Sequence, residues 1–369
     1  MDIIVATKEI LSFSKMHVGA DEVITASQDE LLLKDGRVLK DTMSGLWNVP
    51  LGYSNQNIKQ SMMNQLVKLP YASNFSGYHS ATTEKYAEEI CKRTNMNRVY
   101  FTNSGSAAVE TAIKLTGKEI AVCGKHSYHG STILSANASD QDINKFWGIQ
   151  NPMSVHKFED VDDLISICNG LYDMSFVIIE PVVGAGGVYE WQPEIWKVLE
   201  EYQQKGGIVI LDETVTGFGK LGTMFAFEKY NIKPDMIVLG KGITNGYFPM
   251  GACLINERIE KSVKMFNHGF TYSGHPIGCA AALEVLKEID RRSEWLLEHK
   301  QIKGVTRQYG CMGAIDFETP KQSLTFIKKM REKGYILEDG SENVSTAVFC
   351  LPFIFQEHND FEEAIKECI

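Results

Sequence analysis

One lysine stands in a setting that suits covalent chemistry with a carbonyl compound. Lys241 follows the apolar run MIVL (236–239) and lies between two glycines in LGKGI. The glycines leave room for a ligand close to the backbone, and burial favours the neutral amine that can attack a carbonyl carbon. A lone lysine after a strand is more often structural or solvated, so a covalent role for Lys241 needs support from other residues.

Two further segments supply an acid and an anion site. Asp212 follows the run IVIL (208–211), where a carboxylate could keep a pyridine nitrogen protonated; taken alone, it would more often cap a helix. In TNSGSAAVETAIK, Gly105 and Ser106 stand where a loop becomes a helix. The free N–H groups of a helix N-terminus bind phosphate, although such a turn is by itself commonplace.

An aldehyde cofactor that labilises bonds at an amine carbon needs a lysine, an acid for its ring nitrogen and a cradle for its phosphate. The three segments together meet these needs. Tyr128 in HSYHGS could stack on the ring of such a cofactor, although taken alone it would be a core tyrosine. Its neighbour His129 has no assigned role.

Five short apolar runs position these residues. Each run ends in a polar or glycine-rich cluster and is followed by a helical pattern, which predicts buried parallel strands. The segment 193–207 lies between two of them, has the apolar spacing of an amphipathic helix and ends in a glycine pair, which predicts a βαβ unit. Ligands of an open parallel sheet bind beyond the carboxyl ends of its strands, so we expect a single site there. The five runs are 98–101, 120–123, 176–179, 208–211 and 236–239.

After about residue 265 the pattern changes to a long helical stretch (275–300), the strand-like GCMGAIDF, the helix QSLTFIKKMREKG, and a last strand and helix. This order predicts a smaller α+β domain. The turn in LLLKDGRVLKD is typical of a hairpin, and the N-terminal segment could pack with the small domain. We therefore expect an N-terminal segment (1–44), a large domain (45–264) and a C-terminal small domain (265–369).

Composition and charge exclude several classes of function. The net charge of -10 is spread along the 369 residues, without a Lys/Arg-rich run, so nucleic acid is not an expected partner. The first residues contain neither a signal peptide nor a membrane span, and we expect a cytoplasmic protein. The cysteines form no CxxC pair and have no histidine in metal spacing, so no metal site is expected.

Seven segments, in this order, resemble the class III pyridoxal-phosphate (PLP) aminotransferases, which include omega-amino acid, ornithine, 4-aminobutyrate and diaminopelargonate aminotransferases. The match runs from about Gly45 to Gly278, and the spacing from Asp212 to Lys241 is also similar to the family's. The segments are GLWNVPLGY, NSGSAAVETAIK, YHGS, IIEPVVGAGG, LDETVTGFGKLGTMFAFE, KPDMIVLGKGITNGYFPMGA and HGFTYSGHP.

The resemblance implies a fold-type I α/β architecture, with a mostly parallel seven-stranded sheet in the large domain, and a homodimer with active sites at the subunit boundary. It also implies roles for matching positions. Lys241 would form the internal aldimine with PLP and later transfer protons, Asp212 would pair with the ring nitrogen, and Glu180 would support that region. Gly105 and Ser106 would bind the phosphate together with Thr271 of the partner subunit. Tyr128 would cover one face of the ring, and Thr214, where the family usually has Val, would cover the other.

Three features bear on the substrate. Arg307 in GVTRQYGCMG stands where many relatives bind a substrate carboxylate, and Ala185 replaces a glutamate that masks this arginine in some relatives, so we expect Arg307 to be unmasked. Trp47 matches the aromatic wall of amine-preferring members. The chain between Gly278 and Gly304 is shorter than the family's, which predicts a pocket that is more open or is completed by a partner. A packing role stays open for both Arg307 and Trp47.

The function that follows is transfer of an amino group from an amine or amino acid to a keto acid or aldehyde. An aminomutase or racemase of the same fold would use the same Lys241 and Asp212 and would turn over without a second carbonyl compound. A cofactor-binding protein without turnover is a third reading. The intact lysine, acid and phosphate site argue against it.

Overall fold

A seven-stranded sheet forms the centre of the molecule, and six of its strands run parallel. The structure is a computed structural model that describes residues 3–5, 11–13, 21–74, 77–140, 148–292, 300–340 and 345–369. Gly251–Ile255 is antiparallel to both of its neighbours. The mostly parallel seven-stranded sheet is thus confirmed. Its strands, in spatial order, are Arg98–Thr102, Gly251–Ile255, Met236–Leu239, Ile208–Asp212, Ser175–Ile179, Ile120–Gly124 and Ser154–Phe158.

All five predicted strands are present, because their β-branched residues fill a sheet that is covered on both faces. Every residue of Ser175–Ile179 and of Ile208–Asp212 is buried. These two strands pair in parallel, and the helix Glu194–Gln204 connects them, which confirms the predicted βαβ unit.

Helices cover the central sheet and continue into the C-terminal part. Pro276–Asp290 packs against Gln56–Lys68 and Ala81–Thr94; the end of the predicted 275–300 helix, 293–299, lies outside the described residues. The helices longer than seven residues are Gln56–Lys68, Ala81–Thr94, Gly105–Thr116, Val161–Cys168, Glu194–Gln204, Pro276–Asp290, Pro320–Glu332 and His358–Cys368. The shorter ones are Ser44–Trp47, Ile133–Asn137, Ala226–Tyr230, Glu257–Ser262 and the 3-10 turn Lys241–Thr244.

Two smaller sheets lie outside the centre. The C-terminal sheet is antiparallel, with its strands in the order Arg307–Tyr309, Met312–Asp316, Thr346–Cys350 and Glu338–Asp339. The N-terminal sheet has the order Val23–Ser27, Glu30–Leu33 and Val38–Lys40. A two-stranded ladder joins Ile3–Val5 to Leu11–Phe13, and another joins Val182–Val183 to Tyr189–Glu190.

The N-terminal sheet meets the C-terminal part through backbone hydrogen bonds at Lys40. Its N–H donates to the carbonyl of Gly334 (2.7 Å), and its carbonyl accepts from the N–H of Ile336 (3.0 Å). The exact boundaries of the three predicted segments stay a prediction. None of the described helices is long and apolar enough to cross a membrane.

Candidate functional site

A cavity of about 350 Å³ lies at the carboxyl ends of the central strands. Its size suits a small-molecule ligand. It brings together every predicted cofactor residue except Thr271, and it also contains Trp47 but not Arg307. Its lining residues are Leu46, Trp47, Gly105, Ser106, Tyr128, His129, Gly130, Glu180, Ala185, Asp212, Thr214, Val215, Lys241, Glu338, Asp339 and Gly340.

Lys241 occupies the first position of a 3-10 turn and projects over an indole ring. Its Nζ lies 4.9 Å from the ring centroid of Trp47, and its backbone is left-handed, with a φ of 46°. Such strain is often found at functional sites. Burial lowers the pKa of Lys241 to about 8, against the opposing effect of the Glu180 and Asp212 carboxylates. A neutral, nucleophilic amine is therefore more accessible near neutral pH than on an ordinary lysine.

Asp212 ends its strand inside the cavity and is held by a histidine. Oδ2 lies 2.8 Å from Nδ1 of His129, and Oδ1 accepts from the N–H of Thr214 (3.0 Å). Asp212 and His129 are each 3 % exposed. Among the described residues, His129 Nε2 has no hydrogen-bond partner. The sequence analysis assigned no role to His129. Its position beside Tyr128 at a strand end was the one sequence feature that could have indicated a place in the site.

Glu180 fixes two loops around the cavity. Its Oε1 accepts from the N–H of Tyr128 and its Oε2 from the N–H of Gly184, both at 3.0 Å. The side chain is buried, which raises the pKa of its carboxyl. Through these two bonds, Glu180 sets the position of the predicted ring-stacking residue Tyr128.

The helix Gly105–Thr116 begins at the cavity, as the sequence predicted, and Ser104 caps its first turn. A Cβ added to Gly105 would lie 2.8 Å from Cγ2 of Thr214, and one added to Gly240 would lie 3.0 Å from the same atom. Beside Thr214, glycine at both positions lets the helix N-terminus, the Asp212 loop and the Lys241 turn come this close together.

The Tyr128 loop packs closely against the same helix end. Ser106 Oγ accepts from the N–H of Ser131 (3.2 Å). Gly130 has a φ of 128°, and a Cβ there would lie 2.4 Å from Ser106 Oγ. Gly130 is thus required both by its backbone conformation and by space.

Two predicted residues lie outside the cavity. Thr271 is exposed, and its carbonyl accepts from the hydroxyl of Tyr71 (2.7 Å). Arg307 donates from Nε to the carbonyls of Gly187 (2.9 Å) and Val188 (2.7 Å). The roles of Thr271 at a partner's phosphate and of Arg307 at a substrate carboxylate stay predictions.

The expectation that Arg307 is unmasked needs correction, because Asp316 binds it with both carboxylate oxygens. Nη2 lies 2.9 Å from Oδ1, and Nη1 bonds to Oδ2. Although burial by itself raises the pKa of Asp316, hydrogen bonds from Arg307 and Thr346 lower it overall. Asp316 supplies the negative charge that Ala185 lacks.

These residues fit PLP. The cavity contains a lysine with a lowered pKa, a buried carboxylate supported by a histidine, and a glycine-lined helix N-terminus. Among the described residues, Thr214 Oγ1 and Trp47 Nε1 are buried polar atoms of the cavity lining without a partner, and a polar ligand could satisfy them.

Comparison with known proteins gives a consistent picture. The sequence pattern of Aminotransferase class-III matches residues 20–369. A probable gamma-aminobutyrate transaminase 2 of Oryza sativa subsp. indica is 33% identical over 296 residues, which cover 68% of this chain and 59% of that protein. An acetylornithine aminotransferase of Archaeoglobus fulgidus is 30% identical over an alignment that covers 84% of this chain and 84% of that protein. A transaminase structure from the marine bacterium Virgibacillus superposes with a TM-score of 0.88 at 26% identity, covering 99% of this chain and 97% of that one.

Proposed function

The chain belongs to the class III aminotransferases, which use PLP, and we propose on this premise that it transfers an amino group from an amine or amino acid to a carbonyl compound. The observation that carries the proposal is the meeting of Lys241, Asp212 and the Gly105 helix end in one cavity. The chain spans about three fifths of the rice relative, 59%, so activity, substrates and partners are proposed for this chain and not transferred from that protein.

Each cavity residue has a proposed task toward PLP. Lys241 would hold it covalently, and Asp212, kept in place by His129, would bind its ring nitrogen. The helix end at Gly105 and Ser106 would bind its phosphate. When bound, PLP stabilises the negative charge that develops at the amine carbon.

The side chains on either side of the ring would complete the site. Tyr128 would cover one face and Thr214 the other, where its methyl group lies 2.8 Å from the position that a Cβ on Gly105 would take. Glu180 would act through the loop of Tyr128, whose N–H it binds. Trp47, Tyr128 and Thr214 together would limit the access of water to the amine carbon.

Lys241 would also transfer the proton. With a pKa near 8, its Nζ can accept a proton from the amine carbon and later release one, because both charge states are accessible near neutral pH. Asp212 would remain the hydrogen-bond acceptor for the protonated ring nitrogen throughout. The same residues, used in reverse, would pass the amino group to the second carbonyl compound.

We further propose that the protein is a homodimer in which Thr271 serves the partner's phosphate site. Thr271 and its neighbour Tyr272 are exposed, and the large apolar side chains of Val67 (83%) and Met265 (88%) are also exposed and could be buried against a second subunit. Mixing Lys241→Ala with Thr271→Glu subunits tests this proposal. A shared site predicts about a quarter of wild-type activity, since random mixing leaves one intact site in half of the dimers. No recovery of activity would refute shared sites.

The main test of the function is a half-reaction. Holoenzyme is incubated with one amine donor and no carbonyl acceptor, and the visible absorbance and the pyridoxamine phosphate formed are measured. An aminotransferase stops after one equivalent per site and resumes when a keto acid is added. Continued turnover of the single substrate would instead identify a mutase or a racemase.

A further inference from the structure

Four successive residues at one wall of the cavity form a left-handed turn. The φ values of Ser44, Gly45, Leu46 and Trp47 are 47°, 56°, 62° and 62°, and the last two residues line the cavity. Residues with a side chain adopt this conformation rarely and usually one at a time. The turn 44–47 therefore needs contacts from its surroundings that hold it in place.

The turn determines where the indole ring of Trp47 lies. Trp47 is 4% exposed, and the Nζ of Lys241 lies 4.9 Å from the centroid of its ring. Among the described residues, the Nε1 of the indole has no hydrogen-bond partner, so packing and the backbone of the turn fix the ring. A displaced turn would move Trp47 relative to the reacting lysine.

Asp41 binds the N–H groups at the start of the turn. Its Oδ1 accepts from the N–H of Met43 (3.1 Å), and its Oδ2 accepts from the N–H of Gly45 (2.6 Å). Its backbone carbonyl accepts from the N–H of Ser44 at 3.4 Å. The side chain is buried, and Oδ2 also accepts from the hydroxyl of Tyr53. Three successive N–H groups are thus directed to one residue.

Other contacts hold different groups of the turn. The side chain of Asn48 donates to the carbonyls of Gly45 (2.8 Å) and Leu46 (3.1 Å). The Oγ of Ser44 donates to the carbonyl of Cys350 (2.7 Å), in the C-terminal sheet. Neither contact accepts from the N–H of Gly45, which Asp41 binds. An N–H group that loses its acceptor inside the protein is costly, so the carboxylate of Asp41 stabilises the turn.

Asp41 lies outside the lining of the cavity, and the turn connects it to the site. We propose that Asp41 is a positioning residue for the amino donor. Its carboxylate holds the turn 44–47 and, through the turn, the ring of Trp47, against which the substituent of the donor packs beside Lys241. The inference rests on the proposed aminotransferase function and adds a residue that the sequence analysis did not select.

Asp41→Asn is the sharpest variant, because it keeps the size of the side chain. An amide accepts at one end and donates at the other, so in either orientation its NH2 group faces the N–H of Met43 or of Gly45. Tyr53→Phe removes the third hydrogen bond of the carboxylate but keeps both backbone bonds, so its effects should be smaller. Asp35→Asn removes the same charge at an exposed position between two strands of the N-terminal sheet and should match the wild type.

A measurement on the full-length apoprotein tests the positioning without turnover. Acrylamide quenching of tryptophan emission is compared between each variant and the same variant with Trp47→Phe, and the difference is assigned to Trp47. In the folded protein, we expect Asp41→Asn to raise the quenching constant of Trp47 roughly threefold, because the turn loosens once the N–H of Gly45 loses its acceptor. A role in stability alone would leave this constant unchanged, and that result would overturn the inference.

Donor kinetics test whether Asp41 acts through Trp47. Benzylamine has a ring that can contact the indole, whereas ethylamine has only a methyl group beyond the amine carbon. We expect Asp41→Asn to raise the KM of benzylamine roughly fivefold, with little effect on kcat or on ethylamine, because the contact lies outside the reacting centre. In a Trp47→Ala background, the same substitution should change the KM of benzylamine less than about twofold. Additive effects would mean that Asp41 acts by another route, which contradicts the inference.

The outcomes separate this inference from the proposed function. If neither amine yields pyridoxamine phosphate with the wild type, the proposed function is contradicted, and the quenching measurement still decides on Asp41. If Asp41→Asn is not recovered as a folded protein, Asp41→Ser takes its place, since a serine hydroxyl can accept from the N–H two residues on but is too short to bind Gly45. It should also raise the quenching constant of Trp47, and a wild-type value would again overturn the inference.

Discussion

At the scale of single residues, burial disfavours the protonated form of Lys241, although the proposed proton transfer uses this form. Burial lowers the pKa of Lys241 to about 8 from 10.5, so the folded chain resists protonation of an amine that the unfolded chain protonates readily. His129 and Asp212 show the opposite arrangement, since each buried group is stabilised by the other. The sequence predicted Lys241 and Asp212 from their positions after apolar strands. It could not predict the histidine contact, because the partners lie far apart in the chain and meet only through the order of the strands.

Lys241→Met should stabilise the apoprotein at pH 7 by up to about 3 kcal/mol, since it removes a charge that folding disfavours. The unfolded chain binds more protons than the folded one between pH 8 and 10.5. The stability of the wild type should therefore rise with pH through this window, and the gap to the variant should close above it. Urea unfolding at pH 7, 9 and 10.5 measures this gap. Lys264→Met, at an exposed position, is the control; a gap that does not depend on pH would contradict the assignment.

His129→Leu should destabilise the apoprotein by roughly 3 kcal/mol, because it leaves the buried carboxylate of Asp212 without its charged or donating partner. His129→Gln keeps a donor and should recover part of the loss. Thermal and urea unfolding of the two variants measure the difference. Wild-type stability of His129→Leu would mean that the contact between His129 and Asp212 contributes nothing to stability.

At the scale of elements, the site depends on the close approach of three backbone segments. Gly105, Gly240 and Thr214 come from three different strand ends, and a Cβ built on Gly105 or Gly240 would lie 2.8 or 3.0 Å from Cγ2 of Thr214. The five β-branched strands were predictable because buried strands leave continuous apolar runs. The edge strand Ser154–Phe158 was not predictable in this way, since it exposes several polar residues. The pairing of Arg307 with Asp316 was not predictable either, because it depends on the register of two antiparallel strands.

Gly105→Ala should weaken PLP binding about tenfold or more, because its methyl group would push against Cγ2 of Thr214, 2.8 Å away, and shift the phosphate-binding helix end. Thr214→Ala removes the clashing methyl group. The double variant should therefore bind PLP more tightly than Gly105→Ala alone. Equilibrium dialysis of the apoproteins gives the Kd values for PLP. If the double variant binds PLP no more tightly than Gly105→Ala, the loss of affinity does not come from the contact with Thr214.

At the scale of the whole molecule, residues from both parts of the chain surround one cavity. The ends of the central strands provide the lysine, the acid and the predicted phosphate site, whereas the C-terminal sheet adds Glu338 and Asp339 to the lining. The resemblance predicted the first group because those residues lie within contiguous motifs. Glu338 and Asp339 lie in a segment without such a motif, so the sequence did not predict that they line the cavity. The chemistry was thus more predictable than the substrate.

The most direct measurement is covalent trapping of PLP on the purified protein. Apoprotein is incubated with PLP, reduced with borohydride and digested, and the modified peptides are identified by mass spectrometry. We predict one modified site per chain, at Lys241, and its loss when an amine donor is added before the reduction. Modification of another lysine, or a Lys241→Ala variant that converts the donor as fast as the wild type, would contradict the central claim that Lys241 carries the cofactor.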